Sequence, residues 1–213
     1  MAGVEIIEVL PGLRMLRFPV GQAYAWQDDD GLTLVDTGTA GHAERITALG
    51  PVRRIVLTHF HDDHIGSAAD LRARTGAEVF AHRLEAPVVR GDVPAPPPVI
   101  PDEERELFER VTPGVPPAPR SPVDHEVDEG DVLEFGGGAR VLSVPGHTDG
   151  SIAVHLPRHG VLFTGDTVAT WEGRPIPGVF NLDRPRLLAS ARRLLDLDAR
   201  VVCVGHGDPL ARQ

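Results

Sequence analysis

The 213-residue chain contains no lysine, and all 21 of its basic residues are arginine. Schiff-base and pyridoxal-phosphate chemistry need a lysine amine, and a phosphate-binding P-loop needs a lysine after its glycines, so these classes are excluded. The sequence also lacks the G-x-S-x-G pattern of a serine nucleophile and the G-x-G-x-x-G pattern of a dinucleotide-binding loop. Any chemistry must therefore use other side chains.

Cysteine is nearly absent as well. Cys203 is the single one, in the apolar run VVCVG, so we expect a buried core thiol and no internal disulfide, which suits a reducing cytoplasm. The net charge of −10 disfavours nucleic acid and anionic membrane surfaces as partners. No apolar run reaches the length of a membrane span, and no signal peptide is visible. We predict a cytoplasmic protein with no nucleic-acid or membrane partner; the oligomeric state stays open.

Hydrophobic residues make up 41% of the chain, and its length suits one large domain. Short apolar strands and helix-like segments occur in two strand-rich halves, which predicts an α/β fold with two sheets packed face to face and helices outside. Residues 84–122 differ in composition from these two halves, because they contain eleven of the twenty prolines. The prolines surround an acidic segment, Asp102–Arg110, that predicts one helix. We interpret 84–122 as an ordered cap on a single domain of residues 1–213; a flexible linker between two domains is the alternative.

The stretch LTHFHDDHIG places three histidines and two aspartates within six positions, directly after an apolar run. In an extended backbone, residues i and i+2 point the same way, so His59 and His61 can address one point. Asp63 and His64 follow where the chain begins to turn and can address a second point. Imidazole and carboxylate groups suit Zn²⁺, Fe²⁺ or Mn²⁺. The pattern favours a metal site over a solvated histidine-rich turn.

Three more candidate ligands follow other predicted strands. His147 in PGHTDGS, Asp166 in FTGDT and His206 in GHGDP each come one to three residues after a short apolar run, beside glycine. Glycine allows close approach of the backbone to a site. Any one of the three alone would more often be an ordinary loop residue. Their recurrence in one arrangement indicates that they complete the site, since a single metal needs at least three protein ligands and two metals need more than one loop supplies.

Together these residues resemble the ligand pattern of the metallo-β-lactamase-fold hydrolase superfamily, across essentially the whole chain. Seven residues carry the resemblance: His59, His61, Asp63, His64, His147, Asp166 and His206. The resemblance implies a four-layer αββα sandwich and two zinc ions, with iron or manganese as alternatives. It assigns His59, His61 and His147 to the first metal, Asp63, His64 and His206 to the second, and Asp166 to both.

The activity that the resemblance implies is hydrolysis of an ester-like bond in a small molecule by a zinc-bound hydroxide. The bond would be that of an ester, lactone, thioester or phosphodiester. Asp63 is the expected proton shuttle to the leaving group. The segment LVDTG is also similar to a recurring family segment, in which Asp36 supports the ligand loop or is simply a turn residue. Trp26, Trp171 and Phe180 are candidate pocket walls, with core packing as the alternative for each.

Differences between this sequence and better-known members of the superfamily narrow the choice of activity. Lactonases of this fold carry a tyrosine shortly after the bridging aspartate, whereas the single tyrosine here is Tyr24. The chain stops seven residues after His206, without the helical glutathione-binding domain of glyoxalase II-like thioesterases. Asp166 and the absence of a signal peptide disfavour a β-lactam-hydrolysing enzyme, which stays an alternative. Two further alternatives to a hydrolase are a persulfide dioxygenase with one iron and an inactive binding protein. The inactive protein is disfavoured because all seven ligands are present.

Overall fold

The computed structural model describes residues 3–211, and the contacts within the chain divide it into two compact units. The first unit comprises Met1–Pro94 and Gly114–Val127, and the second comprises Ala95–Pro113 and Asp128–Gln213. The proline-rich stretch 84–122 therefore contributes to both. A single domain over 1–213 and a cap formed by this stretch stay predictions.

The first unit is built on a seven-stranded sheet whose strands lie side by side in chain order. The first four strands pair antiparallel, and the fourth to the seventh pair parallel. The strands are β1 (Glu5–Leu10), β2 (Leu13–Arg17), β3 (Gln22–Asp28), β4 (Gly31–Val35), β5 (Val52–Leu57), β6 (Glu78–His82) and β7 (His125–Val127). Because parallel strands end at the same edge of a sheet, the loops after β4 and β5 lie next to each other.

Four short helices connect the parallel strands of this unit. They are α1 (Ala43–Thr47), α2 (Asp62–Ile65), α3 (Ala68–Thr75) and α4 (Ala86–Arg90). Ile46 of α1 and Leu71 of α3 are fully buried in one cluster with Leu34 and Ile55 of the sheet. The α3 helix ends at Gly76, whose φ of +69° is the left-handed conformation that glycine adopts readily. This core fixes the carboxyl ends of β4 and β5.

The second unit contains a six-stranded sheet and a separate two-stranded sheet. Its elements are α5 (Asp102–Val111), β8 (Val132–Leu133), β9 (Ala139–Ser143), β10 (Ile152–Leu156), β11 (Val161–Phe163), β12 (Val168–Trp171), β13 (Arg174–Pro177), α6 (Arg184–Leu195), β14 (Val201–Cys203) and β15 (Leu210–Ala211). The large sheet has the order β15-β14-β11-β10-β9-β8, with β11 and β14 parallel, and β12 pairs with β13 alone. The helix predicted over Asp102–Arg110 is confirmed as α5.

The α6 helix packs on the large sheet of this unit. Asp183 caps its first turn by accepting the N–H of Arg186 at 3.0 Å. Leu187 of the helix is fully buried, and Leu194 lies in the buried core cluster of this unit. Gly146 approaches this helix so closely that a Cβ there would overlap the backbone of Leu187. The loop that carries His147 is therefore held against the start of α6.

Cys203 lies in β14 and is fully buried, and burial raises the pKa of its thiol. The prediction of a core thiol is confirmed. Among residues 3–211, no helix combines the length and the apolar character needed to cross a membrane. The mixed α/β fold class with more than one sheet is also confirmed.

Candidate metal centre

The loop after β5 and the helix α2 bring four predicted ligands together in the first unit. The backbone of His61 is extended, and His59 Nε2 lies 3.1 Å from His61 Nδ1. Asp63 and His64 lie on α2, with His64 Nε2 3.8 Å from Asp63 Oδ2. The rings of His59 and His64 are 4.2 Å apart between centroids. Both of these rings are buried, whereas His61 and Asp63 are partly exposed.

Asp36, directly after β4, orients two of these histidines. Its Oδ1 accepts the N–H of Thr58 at 2.8 Å, and its Oδ2 accepts from the Thr58 hydroxyl and from His64 Nδ1, each at 2.8 Å. The Thr58 hydroxyl hydrogen points to Asp36, so its oxygen accepts from His59 Nδ1, 3.0 Å away. This pattern assigns the ring hydrogen of His59 and His64 to Nδ1 and leaves Nε2 able to bind a metal ion. The supporting role predicted for Asp36 is confirmed.

Two backbone contacts fix this loop further. Phe60, between the first two histidines, donates its N–H at 2.9 Å to Oε2 of Glu85, a buried residue at the start of α4. Gly66, after α2, donates its N–H to the carbonyl of Gly38 at 2.9 Å, and a Cβ at position 66 would overlap the neighbouring backbone. A glycine is required where two chain segments approach this closely.

The second unit brings the other three predicted ligands together. His147 follows β9, Asp166 follows β11 and His206 follows β14. Oδ2 of Asp166 is 3.5 Å from His147 Nε2 and 3.2 Å from His206 Nε2. One carboxylate oxygen thus lies beside two imidazole nitrogens.

Asn181 orients His147 from the segment that leads into α6. The Asn181 side-chain amide donates to the carbonyl of Gly178 at 2.7 Å, so Oδ1 is the atom that faces His147 Nδ1, 3.2 Å away. The ring hydrogen of His147 is thereby assigned to Nδ1, and Nε2 is left able to bind a metal ion. Leu182 N–H also donates to the His147 carbonyl at 3.1 Å. His147 therefore has the same arrangement as His59 and His64, but with a different partner.

The spacing of these atoms fits metal ligation. Two donor atoms that each lie about 2.1 Å from one ion at a tetrahedral angle are about 3.4 Å apart. The four donor pairs measured within the two units span 3.1 to 3.8 Å. Nitrogen and carboxylate donors of this kind suit zinc, iron or manganese. Each of the four pairs therefore has the spacing of two ligands of one metal ion, while the roles of the seven individual residues stay predictions.

The sequence does not reveal every residue that supports these donors. Thr58, Glu85 and Asn181 act through hydrogen bonds whose partners become neighbours only in the fold. Of the candidate pocket walls, Trp26 is buried and its Nε1–H donates to Asp28 Oδ1 at 2.9 Å, which makes it a core residue. Trp171 in β12 is 69% exposed.

Comparisons with known proteins place the chain in a family. Residues 17–206 match the model of the metallo-beta-lactamase superfamily. The chain is 32% identical over 161 residues to the hydroxyacylglutathione hydrolase of Cereibacter sphaeroides, a match that covers 72% of this chain and 48% of that protein. It is 28% identical over 215 residues to the hydroxyacylglutathione hydrolase GloC of Haemophilus influenzae, covering 94% of this chain and 90% of that one. The chain thus spans about half the length of the Cereibacter relative.

A solved structure agrees in both fold and sequence. The crystal structure of TTHA1623 in a di-iron-bound form superposes with a TM-score of 0.68 at 30% identity and covers 92% of each chain. The match to the family model extends over most of the sequence and ends at His206, the last of the predicted ligands. The chain belongs to the metallo-β-lactamase superfamily.

Proposed function

We propose that this protein is a metal-dependent hydrolase of small thioesters, with two metal ions bound by the seven residues His59, His61, Asp63, His64, His147, Asp166 and His206. The observation that carries the proposal is the position of Asp166 Oδ2, within 3.5 Å of Nε2 of both His147 and His206. A carboxylate oxygen placed between two imidazoles is the natural bridge of a two-metal site. In that role Asp166 belongs to both metals.

The thioester is favoured among ester-like bonds because of the relatives. Proteins named hydroxyacylglutathione hydrolase, by that name thioester hydrolases, match this chain at 32% and 28% identity. The Haemophilus protein matches over 94% of this chain and 90% of its own length, so a chain of about this size carries that name. A small-molecule substrate follows from the proposal.

In this proposal, each group of residues has a separate role in the hydrolysis. Two bound divalent ions would lower the pKa of a bound water to about 7 and polarise the scissile carbonyl. His59, His64 and His147 present Nε2, because Asp36, Thr58 and Asn181 hold the opposite ring nitrogens. Asp63 lies on α2 and is partly exposed, so its carboxylate can both contribute to the site and carry a proton to the leaving thiolate.

A substrate panel tests this proposal. Zinc-loaded protein would be assayed with a hydroxyacyl glutathione thioester, an acyl homoserine lactone, a phosphodiester and a β-lactam. We expect kcat/KM to be highest for the thioester, and His147→Ala to abolish the activity while the exposed control His125→Ala retains it. Preference for the lactone, phosphodiester or β-lactam would contradict the thioester assignment. A His147→Ala protein that retains the activity would contradict the proposed metal site.

The metal and the location belong to the proposal too. Zinc is our choice, and the di-iron-bound form of TTHA1623 makes iron the alternative to be compared. A protein with one iron per chain that consumes oxygen would instead be a dioxygenase. We infer a cytoplasmic location from the buried, lone thiol of Cys203, which suits a reducing compartment.

A further inference from the structure

Glu104 differs from the other acidic residues of α5. The helix begins with the sequence DEERE, and Glu104 is only 7% exposed, whereas Asp102 and Glu103 before it are both exposed. A carboxylate is rarely buried unless it has partners. The partners of Glu104 therefore indicate what it does.

Both oxygens of Glu104 bind the segment that precedes and begins α6. Oε2 accepts the backbone N–H of Phe180 at 2.7 Å, and Oε1 accepts from Nη1 of Arg184 at 3.1 Å. The ring of Phe108, one helical turn further along α5, meets the ring of Phe180 edge-on at 5.2 Å between centroids. The α5 helix is thus attached to this segment by one buried carboxylate and one aromatic pair.

The backbone of Phe180 is in an unfavourable conformation. Its φ of +58° lies in the left-handed region, which a bulky side chain rarely adopts. Such a conformation persists where the surroundings determine it, and it occurs preferentially at functional sites. The hydrogen bond from Phe180 N–H to Glu104 is one contact that holds this conformation.

The residue after Phe180 is Asn181, which orients His147. Asn181 Oδ1 is 3.2 Å from His147 Nδ1, and the next two residues donate their N–H groups to the carbonyls of His147 and Gly146 at 3.1 and 2.8 Å. The direction of the Asn181 side chain depends on the backbone at Phe180. A continuous series of contacts therefore runs from Glu104 through Phe180 and Asn181 to the imidazole of His147.

We propose that Glu104 is a positioning residue for His147, and that it sets the affinity of the site for metal. The inference rests on the proposed function, in which His147 Nε2 binds a metal ion. Loss of Glu104 frees the backbone of Phe180, weakens the bond from Asn181 to His147 Nδ1 and leaves the imidazole less well oriented. Glu104 itself touches neither substrate nor metal.

The test measures metal affinity by competition with a chelating dye, with zinc as the probe. We expect Glu104→Ala to weaken the binding of one of the two ions by about tenfold, the lower end for loss of a residue that orients a ligand. Glu104→Gln should retain most of the affinity, because its amide oxygen still accepts the Phe180 N–H. Glu103→Ala, an exposed glutamate on the same helix, is the matched control and should bind zinc as the wild type does.

A second comparison separates positioning from general stability. If Glu104 acts through Asn181, the double variant Glu104→Ala/Asn181→Ala should bind zinc no more weakly than Asn181→Ala alone. Additive losses would overturn the inference, as would wild-type affinity in a Glu104→Ala protein that melts at a lower temperature. A wild-type protein that binds no zinc would instead overturn the proposed function, and the inference with it.

Discussion

Asp63 stands next to a second aspartate, Asp62, on the same short helix. Asp63 Oδ2 is 3.8 Å from Nε2 of the buried His64, whereas Asp62 is the spacer of the histidine pattern. A Cβ at Gly21 would come within 3.3 Å of Asp63, so the chain leaves little room beside it. Asp63 is therefore held at the predicted site, and its role as proton carrier can be tested against its neighbour.

We predict that Asp63→Asn, assayed at full metal occupancy, loses about 10²- to 10⁴-fold in kcat, because asparagine can still occupy the position but cannot carry a proton. Asp62→Asn is the matched control, because it removes a carboxylate from the same turn. It should keep kcat within about threefold, since Asp62 is the spacer of the pattern and not a predicted ligand. Metal content is measured on both variants. An Asp63→Asn enzyme with two ions and unchanged kcat would end the assignment of the proton shuttle.

The sequence reveals the ligand residues better than it reveals their supports. His59 and His61 are two positions apart, so an extended backbone suffices to bring them together. Asn181 and His147 are 34 positions apart, and their contact depends on the backbone of Phe180, whose φ of +58° no local pattern predicts. Asp36 is recognisable from a family segment, but its shared hydrogen bonds to Thr58 and His64 depend on the fold.

At the scale of elements, α3 and the strands β6 and β7 are joined by one aspartate. Asp124, directly before β7, accepts from Arg72 of α3 at 3.1 and 2.7 Å and from the backbone N–H of Val79 in β6 at 2.9 Å. The Arg72 guanidinium, together with the Val79 N–H, keeps the pKa of the Asp124 carboxyl below its usual value. The stabilisation is therefore present above the pKa of the unfolded chain, about 3.9, and is lost as the pH falls through the lower folded pKa.

We predict that Asp124→Ala lowers the free energy of unfolding by about 1 to 2 kcal/mol at pH 7, because a backbone donor in β6 loses its partner. Asp70→Ala removes an exposed partner of Arg74 on the same helix and should change stability little. Urea titrations at pH 7 and at about pH 3 provide the measurement. The gap between Asp124→Ala and wild type should narrow at the lower pH, and a gap that widens there would contradict this account.

Some elements do not follow from sequence patterning. The strand β13 contains two prolines in four residues, a composition that argues against a strand, and it pairs with β12 alone. The turn between them places Glu172 and Gly173 at φ of +50° and +73°, as a tight hairpin turn requires. In contrast, the ligand-bearing ends of β5, β9, β11 and β14 follow from short apolar runs, and those strands are confirmed.

For the whole molecule, the predicted ligands are shared between two compact units. The residues at 59–64 belong to the first unit, and His147, Asp166 and His206 belong to the second. The order and spacing of the ligands along the chain are enough to indicate the superfamily, because each group of ligands follows a short apolar strand. Substrate choice is not predictable in the same way, since no motif of the sequence encodes the conformation of loops such as the β12–β13 hairpin.

The central claim is that one chain binds two metal ions. Its most direct test is the metal content of wild-type protein, purified without added metal and measured by inductively coupled plasma mass spectrometry against protein concentration. The account predicts about two equivalents of zinc or iron per chain, and about one in His206→Ala, which removes a ligand of the second ion. A wild-type protein with no metal, or with a single ion unaffected by His206→Ala, would contradict it.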